Sequence, residues 1–311
     1  MRGSLTVLEK ELSENLKSRR FVLIFLLVFL SGAGAVLTTA QSLSGQTAAE
    51  FLELFTGTGS QFYSYVYFLS VLSPILGIAL GFDSINRELS SGSMVRLLSN
   101  PIHRDGVIAG KLAAGVALIS LVVGVVNAID FGLGMLLMGW GPTPADALRF
   151  FYFSVVTVLY ASVWYSAALL FSTVFRRAAT SALVSLGLWI FMTFFIGAFS
   201  TALAGLISPL PSFPPPTLEQ EVAYIDTAVS IARISPVYVY SEVSSVLLNP
   251  HVMTLSPVYA YAPGMPALEL GVSQSLYLAL PDVSALMAAL SIFSILAYLV
   301  FMRMEIRARW E

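Results

Sequence analysis

The sequence predicts an all-α membrane protein with six transmembrane helices, and three observations support this fold class. Hydrophobic residues make up 57% of the 311 residues and charged residues only 11%, unlike the composition of a soluble domain. The mean hydropathy is +0.83. Six apolar stretches are long enough to cross the membrane, because about 20 helical residues span its roughly 30 Å of hydrocarbon. These stretches are continuous and lack the alternation of a membrane β-barrel.

The chain is predicted to form one six-span domain over residues 1–311. The predicted spans are 21–43, 62–82, 106–138, 149–175, 179–208 and 282–302. Of the 16 lysines and arginines, all except Arg149 and Arg233 lie near the ends of the spans that face one compartment. Because positive residues are enriched on the cytoplasmic side, we expect both termini and the 83–105 loop in the cytoplasm, with the protein in the cell membrane.

An amphipathic interfacial helix is predicted before the first span, within residues 1–20. Its leucines recur at helical spacing and charged residues occupy the other faces, which is typical of a helix lying along a membrane surface. The leucines are Leu5, Leu8, Leu12 and Leu16. The small residues at 31–35 are also compatible with a cleavable signal peptide. The apolar run continues to Leu43, which favours a retained span.

The 81–111 stretch is the one place where charged residues interrupt the apolar sequence in an ordered pattern. Its periodicity predicts a short amphipathic helix from about Leu89 to Asn100. One stripe contains Leu89, Ser93, Arg96 and Asn100, and another contains Met94, Leu97 and Leu98. Pro101 ends the helix, because proline disfavours helical geometry in the preceding residue.

Two features of the spans are candidates for a transport pathway. Pro74 lies inside span 2, where its missing N–H favours either a hinge or a static bend and leaves a carbonyl for a neighbouring helix. Asn127 and Asp130 lie three residues apart on one face of span 3. A carboxylate within the bilayer costs roughly 2.5–3.5 kcal/mol on insertion scales. Asp130 is therefore predicted either to contact a cation or substrate in a pathway or to lie near the headgroups.

Small residues in span 5 predict a close helix contact. Gly197, Thr201 and Gly205 recur at four-residue intervals, a spacing that lets a second helix approach closely. The pattern is compatible with a contact within one subunit or between subunits.

Residues 209–281 are predicted to form an external helical cap before the last span. Thr217 and Gln220 have the spacing of a capping box, and a second helix is expected to end at Asn249-Pro250. The segment is about seventy residues long, which favours a small cap over an independent enzyme domain.

The sequence contains no catalytic constellation. It has no cysteine, and His103 and His251 are predicted on opposite sides of the membrane, which excludes a two-histidine metal site. Residues 106–112 superficially suggest a phosphate loop. However, three rather than four residues separate the glycines, and Leu112 stands where a serine or threonine would hold magnesium. We therefore predict a non-enzymatic chain that itself binds no cofactor, metal or nucleic acid.

The 81–111 stretch resembles the signature of the type-2 permease family of ATP-binding-cassette (ABC) transporters. In that family a glutamate, a glycine-threonine pair, a leucine pair, a proline, an arginine and a glycine-lysine pair follow the second span. The matching residues here are Glu88, Gly92, Ser93, Leu97, Leu98, Pro101, Arg104, Gly110 and Lys111. The resemblance covers nearly the whole chain. The enlarged outer loop is similar to that of a subgroup that includes permeases serving nitrous-oxide-reductase maturation.

The resemblance implies the permease subunit of an ABC exporter, in which two copies pair as a homodimer. Each copy would dock a cytoplasmic coupling helix on a separate ATPase subunit, which binds the ATP and magnesium. The implied coupling residues are Glu88, Gly92, Ser93, Met94, Arg96, Leu97, Leu98, Pro101 and Arg104. A second hypothesis is a non-transporting mechanotransmitter, in which ATP-driven motion rearranges the 209–281 cap to act on an extracytoplasmic partner.

Overall fold

The fold is an all-α bundle, given by a computed structural model that describes residues 2–43, 50–57, 64–94, 99, 103–213, 215–251 and 269–304. The described residues are 84% helical, and no strand occurs among them, which confirms the all-α class. The helices are α1 (Arg2–Leu16), α2 (Arg19–Leu43), α3 (Glu53–Thr56), α4 (Tyr65–Gly81), α5 (Asn86–Ser90), α6 (Arg104–Met138), α7 (Pro144–Val174), α8 (Ala178–Ile207), α9 (Leu218–Ala232), α10 (Pro236–Leu248) and α11 (Val272–Arg303).

Six segments are long and apolar enough to span a membrane, as predicted: α2, α4 extended through α5, α6, α7, α8 and α11. Two boundaries differ from the prediction. Helix α7 begins at Pro144, because Thr143 and Asp146 form a capping box that closes its first turn. Helix α11 begins at Val272, ten residues before the predicted start, and contains Pro281 within the helix.

Helix α7 is the central helix of the bundle. In the most apolar 18-residue stretch of α7, 78% of the residues are buried, whereas the corresponding share is 17% in α8 and in α11. Two glycines of α4 allow it to lie close to α7. A Cβ atom on Gly77 would lie 2.8 Å from the backbone nitrogen of Tyr165, and one on Gly81 would lie 2.7 Å from the carbonyl oxygen of Tyr165. These glycines, four residues apart, form the face along which α4 crosses α7.

The outer segment is more deeply inserted than a surface cap. The capping box at Thr217 and Gln220 is present at the start of α9, as predicted. Helix α10, however, is buried against α7, and the ring of Tyr240 stacks on that of Tyr160 with centroids 4.2 Å apart. Tyr160 lies in the middle of α7, so the second helix of the predicted cap packs beside the spans rather than above them.

Helix α8 contains a π-helical turn at Phe191–Phe195. A π turn leaves backbone carbonyls displaced from the regular hydrogen-bond pattern. The hydroxyl of Ser235, which also caps the start of α10, donates to the carbonyl of Met192 over 2.8 Å. The π turn thereby joins α8 to α10, and the hydroxyl of Tyr224 on α9 makes a second connection by donating to the carbonyl of Thr201 over 3.3 Å.

Candidate functional site

The end of the bundle that contains α1, α5 and the α7–α8 turn, called here the basic end, holds a buried ion-pair network. The Nζ atom of Lys111, at the start of α6, lies 2.6 Å from Glu11 Oε1 and 3.1 Å from Glu88 Oε2. Lys10 Nζ lies 2.5 Å from Glu88 Oε1. The network therefore joins α1, α5 and α6, which are far apart in the sequence.

The network is charge-balanced and largely shielded from solvent. The Lys111 side chain is 0% exposed and those of Glu11 and Glu88 are each 5% exposed. Lys111 also donates to the carbonyl of Ser84 over 3.1 Å. Burial lowers the pKa of Lys10, but its hydrogen bond with Glu88 and the negative charges of Glu88, Glu11 and Glu14 together outweigh burial and raise that pKa above the usual value. Breaking such a buried pair by removing one partner is strongly destabilising, because an uncompensated charge remains.

The glycine that precedes Lys111 allows α1 to pack this closely. A Cβ atom on Gly110 would lie 2.7 Å from the carbonyl oxygen of Ser4 and 2.8 Å from Cβ of Val7. Val7 and Glu11 form the buried face of α1, whereas Leu5 and Leu16 of the predicted leucine stripe are exposed. Gly110 and Lys111 thus have complementary roles: one permits the contact between α1 and α6, and the other balances the charges within it.

The predicted coupling helix differs from the observed backbone. Helix α5 ends at Ser90, and Gly92 adopts φ +67°, a left-handed conformation that glycine adopts without strain. The predicted start near Leu89 is wrong, because the chain turns at Gly92; Ser93 and Met94 are helical, and residues 95–98 and 100 lie outside the described residues. The hydroxyl of Ser93 donates back to the carbonyl of Glu88 over 3.3 Å and closes this turn.

The predicted coupling residues lie in different environments. Glu88 and Met94 are 4% and 0% exposed, so they are not available to a partner surface in this conformation. Arg104 donates to the carbonyl of Met304 over 2.9 Å and ties the loop to the end of α11. The remaining coupling candidates, Arg96, Leu97, Leu98 and Pro101, lie outside the described residues.

Sequence reasoning missed Arg87 as a candidate. It is exposed on α5, adjacent to Glu88, which is buried. The separate ion pair of Arg20 with Asp83, 2.8 Å apart, joins the start of α2 to the same loop. The sequence signal that could have identified Arg87 is its position directly before Glu88 in the charged 81–111 stretch.

The second polar site surrounds Asp130 inside the bundle. Asp130 is 0% exposed and is enclosed by Gly32 of α2 and Tyr65 of α4. Tyr65 donates to Oδ1 of Asn127 over 2.6 Å, and Nδ2 of Asn127 donates to the hydroxyl of Ser154 over 2.7 Å. In this conformation the Asp130 side chain is enclosed by the protein.

A groove lies beside this polar site, between α6 and α7. It has a volume of about 530 Å³ and is lined mostly by apolar side chains, with Asn127 and Ser154 on its wall. Phe151 and Val155, which line it from α7, are exposed. The polar chain from Tyr65 to Ser154 therefore ends at the outer surface of the bundle and not at its centre.

Pro74 is buried in α4, and a neighbouring helix supplies a donor for the carbonyl that the proline leaves free, as predicted. Its missing N–H leaves the carbonyl of Ser70 without its regular helical donor. The hydroxyl of Tyr160 donates to that carbonyl over 2.8 Å. Since Tyr160 also stacks on Tyr240, this contact connects α4, α7 and α10.

The small-residue face of α8 is open at its two glycines, whereas the carbonyl of Thr201 accepts a hydrogen bond of 3.3 Å from the Tyr224 hydroxyl of α9. A Cβ atom added to Gly197 or Gly205 would meet nothing within 4 Å, and Thr201 is exposed. Large apolar side chains on the same helix are exposed as well. They include Phe191, Phe194, Phe195, Phe199 and Leu206.

Among the described residues, six helices are long and apolar enough to cross a membrane, and a buried ion-pair network joins the second and third of them to α1 at the basic end, which is the architecture of a multi-pass membrane protein. Residues 5–306 match the model of the family described as ABC-2 family transporter protein. The chain therefore belongs to the ABC-2 transporter family and is a transmembrane ABC transporter subunit, as the resemblance predicted.

Two curated relatives carry the same description, "Probable ABC transporter permease protein NosY". The protein from Pseudomonas aeruginosa is 26% identical over 206 residues, which cover 65% of this chain and 70% of the relative. The protein from Stutzerimonas stutzeri is 24% identical over 205 residues, which cover 65% of this chain and 69% of the relative. Membership of the family implies an ATPase partner in the assembled transporter.

Proposed function

We propose that this chain couples ATP hydrolysis by a separate ATPase subunit to movement of its membrane helices, through the loop at the basic end. The observation that carries the proposal is the buried network of Lys10, Glu11, Glu88 and Lys111. It joins the loop to α1 and α6 through ion pairs, so a force applied to α5 acts directly on both helices.

In this function the exposed side of α5 docks on the ATPase subunit, and the ion-pair network transmits the force to α1 and α6. Arg87 is the exposed charge on α5, whereas the neighbouring Glu88 is buried within the network. Charged groups at the edge of an interface set orientation and association rate. Leu97 and Leu98, which lie outside the described residues, are the proposed apolar contacts with the ATPase subunit.

Charge reversal at Arg87 tests the docking role. We expect R87E to reduce the amount of ATPase subunit that co-purifies with the tagged chain by several-fold at low salt, because charge complementarity at an interface is reversed. The thermal unfolding midpoint should be unchanged, since Arg87 is exposed. The measurement is the molar ratio of the two subunits after mild-detergent purification.

R177E is the matched control, because Arg177 is an exposed arginine in the α7–α8 turn at the same end. We expect it to retain the partner. If both variants lose the ATPase subunit equally, the effect is due to net charge and not to the position of Arg87. An unchanged subunit ratio in R87E would contradict the docking assignment.

The proposed orientation places the basic end, with both termini, in the cytoplasm and α9 and α10 toward the outside. The charge asymmetry supports it through the positive-inside rule. The proposed direction of transport is export, which rests on the family resemblance. Asn127, Asp130 and Pro74 remain the proposed pathway residues, and opening of the Asp130 site would require α2 and α4 to separate.

We further propose that two copies pair through α8. Gly197 and Gly205 on its small-residue face are open within the chain, and only 17% of the residues in its most apolar stretch are buried. Small residues allow close helix packing in membranes, where dispersion contacts drive association. A second copy, with the same small-residue face, is the proposed occupant.

Large side chains on this face should prevent pairing without unfolding the chain. We expect the double variant G197L/G205L to elute as single copies, because the leucines would hold the two helices apart. Neither position has a neighbour within 4 Å, so the unfolding midpoint should change little. The readout is the mass of the detergent-solubilised protein by light scattering.

G34L provides the control, since Gly34 on α2 is equally open. It should leave the mass unchanged. A dimeric G197L/G205L protein would overturn the assignment of the pairing face.

One observation favours the mechanotransmitter as a second candidate function. The exposed face of α8 is lined by Phe191, Phe194 and Phe195, whereas Asp130 is enclosed elsewhere in the bundle. If copies pair through α8, apolar rings rather than a carboxylate line their shared axis. The contact from Ser235 to the π turn would carry motion of α8 to the outer segment, where a partner would respond.

A further inference from the structure

Three metal-ligating side chains from separate parts of the chain converge at the end of the bundle opposite the basic end. Glu50 precedes α3, His251 follows α10, and Glu269 precedes α11. One ligand atom from each lies within 4.8 Å of the others. In the sequence, Glu50 lies about 200 residues before His251 and Glu269. No local pattern connects the three residues, so the sequence did not suggest a site.

The backbones that carry these side chains are held by independent hydrogen bonds. The amide of Leu270, beside Glu269, donates to the carbonyl of Pro250, beside His251, over 2.9 Å. The amide of His251 donates to Oδ1 of Asn249 over 2.9 Å. The two ligands that follow α10 and precede α11 are therefore fixed relative to one another before any cation binds.

The side chains retain the freedom that coordination requires. His251 Nε2 lies 3.1 Å from Glu50 Oε1, with the two side chains 45% and 42% exposed. Ligands about 2.1 Å from a tetrahedral zinc ion lie about 3.4 Å apart. Small rotations of exposed side chains bring the three atoms to that spacing, and solvent would supply the remaining ligands.

Arg149 provides the competing explanation for the two glutamates. It is 3% exposed, and its guanidinium donates to the carbonyls of Leu247 and Leu270 and to the hydroxyl of Ser275. These acceptors are neutral, so Glu50 and Glu269 act on Arg149 only through their charge. The charge of Arg149 can account for the two carboxylates. It does not account for the imidazole of His251 beside them.

We propose that Glu50, His251 and Glu269 bind a first-row divalent cation such as zinc. One imidazole and two carboxylates suit a borderline cation that accepts nitrogen and oxygen ligands. The bound ion would clamp the segment before α3 to the connection between α10 and α11. This site is independent of the proposed coupling at the basic end.

The test is zinc titration of the full-length chain, purified in detergent with a histidine-free tag, by calorimetry. We expect one site per chain, with affinity reduced at least tenfold in H251A and in E269Q. H103A is the matched control, because His103 is the other histidine and lies at the basic end. Zinc should raise the unfolding temperature of the wild type and of H103A but not of H251A.

Two results would overturn the proposal. One is the absence of stoichiometric zinc binding to the folded wild type. The other is binding that H251A and E269Q leave unchanged. If E269Q lowers the unfolding temperature without zinc while the wild type binds none, the glutamates serve only as charge partners of Arg149.

Discussion

Replacing Lys111 with methionine is expected to lower the free energy of unfolding by about 3–5 kcal/mol, the range for breaking a buried ion pair from one side. Methionine retains much of the side-chain volume but removes the charge. Glu11 and Glu88 would then be left nearly buried, with Lys10 alone to balance them. Because the network joins α5 to α6, K111M should also lower ATP hydrolysis by the assembled complex.

The measurement is chemical or thermal unfolding of the detergent-solubilised chain. K10M is a graded control, because the Lys10 side chain is 33% exposed, and its loss should be smaller. The double variant E11Q/K111M removes one charge of each sign and should recover part of the loss. The single variant E11Q completes the cycle. If the loss of stability in E11Q/K111M equals the sum of the losses in E11Q and K111M, Glu11 and Lys111 are not energetically coupled, which would contradict the network.

Replacing Gly77 with alanine is expected to destabilise the protein by about 1–3 kcal/mol, as other overpacked cores do, and G77L by more. The added Cβ would lie 2.8 Å from the backbone nitrogen of Tyr165 and closer still to the carbonyl oxygen of Ala161. A backbone cannot rotate aside as a side chain can, so α4 must move away from α7. The unfolding midpoint of the purified chain measures the effect.

G187A is the matched control in a helix interior. A Cβ atom there meets nothing within 4 Å, so only the conformational effect of alanine operates, which stabilises a helix by roughly 0.5–1 kcal/mol. The two variants should therefore shift the midpoint in opposite directions. A G77A protein as stable as G187A would show that α4 and α7 do not pack through this face.

The sequence sufficed for the fold class and for most helix ends, because these depend on local signals. Continuous apolar stretches identified the spans, and the capping box at Thr217 and Gln220 identified the start of α9. The early start of α11 was missed because Pro281 and Asp282 interrupt its apolar pattern, although the helix continues through both.

The environment of the coupling residues could not be predicted in the same way. Glu88 was expected to face a partner, yet its partners are Lys10 and Lys111, 78 and 23 positions away. Whether a charge is buried depends on such distant contacts, which periodicity does not encode. Met94 is buried for the same reason: its apolar character predicted a covered side chain but not which surface covers it.

Small residues illustrate the same limit. Gly197 and Gly205, separated by Thr201 at four-residue intervals, matched a helix-contact pattern but are open within the chain, whereas Gly77 and Gly81, also four residues apart, pack against backbone. Spacing indicates that a close approach is possible, and only the tertiary arrangement determines which helix makes it. The Glu50, His251 and Glu269 cluster escaped notice for a related reason, since proximity in space joins residues that no local motif connects.

The most direct test of the central claim is purification of the tagged chain from its native membranes in mild detergent, followed by identification of co-eluting subunits and an assay of ATP hydrolysis. Coupling through the basic end predicts a nucleotide-binding subunit in the complex, with vanadate-sensitive hydrolysis that K111M reduces. Recovery of the chain without such a subunit, even after cross-linking, would contradict the account.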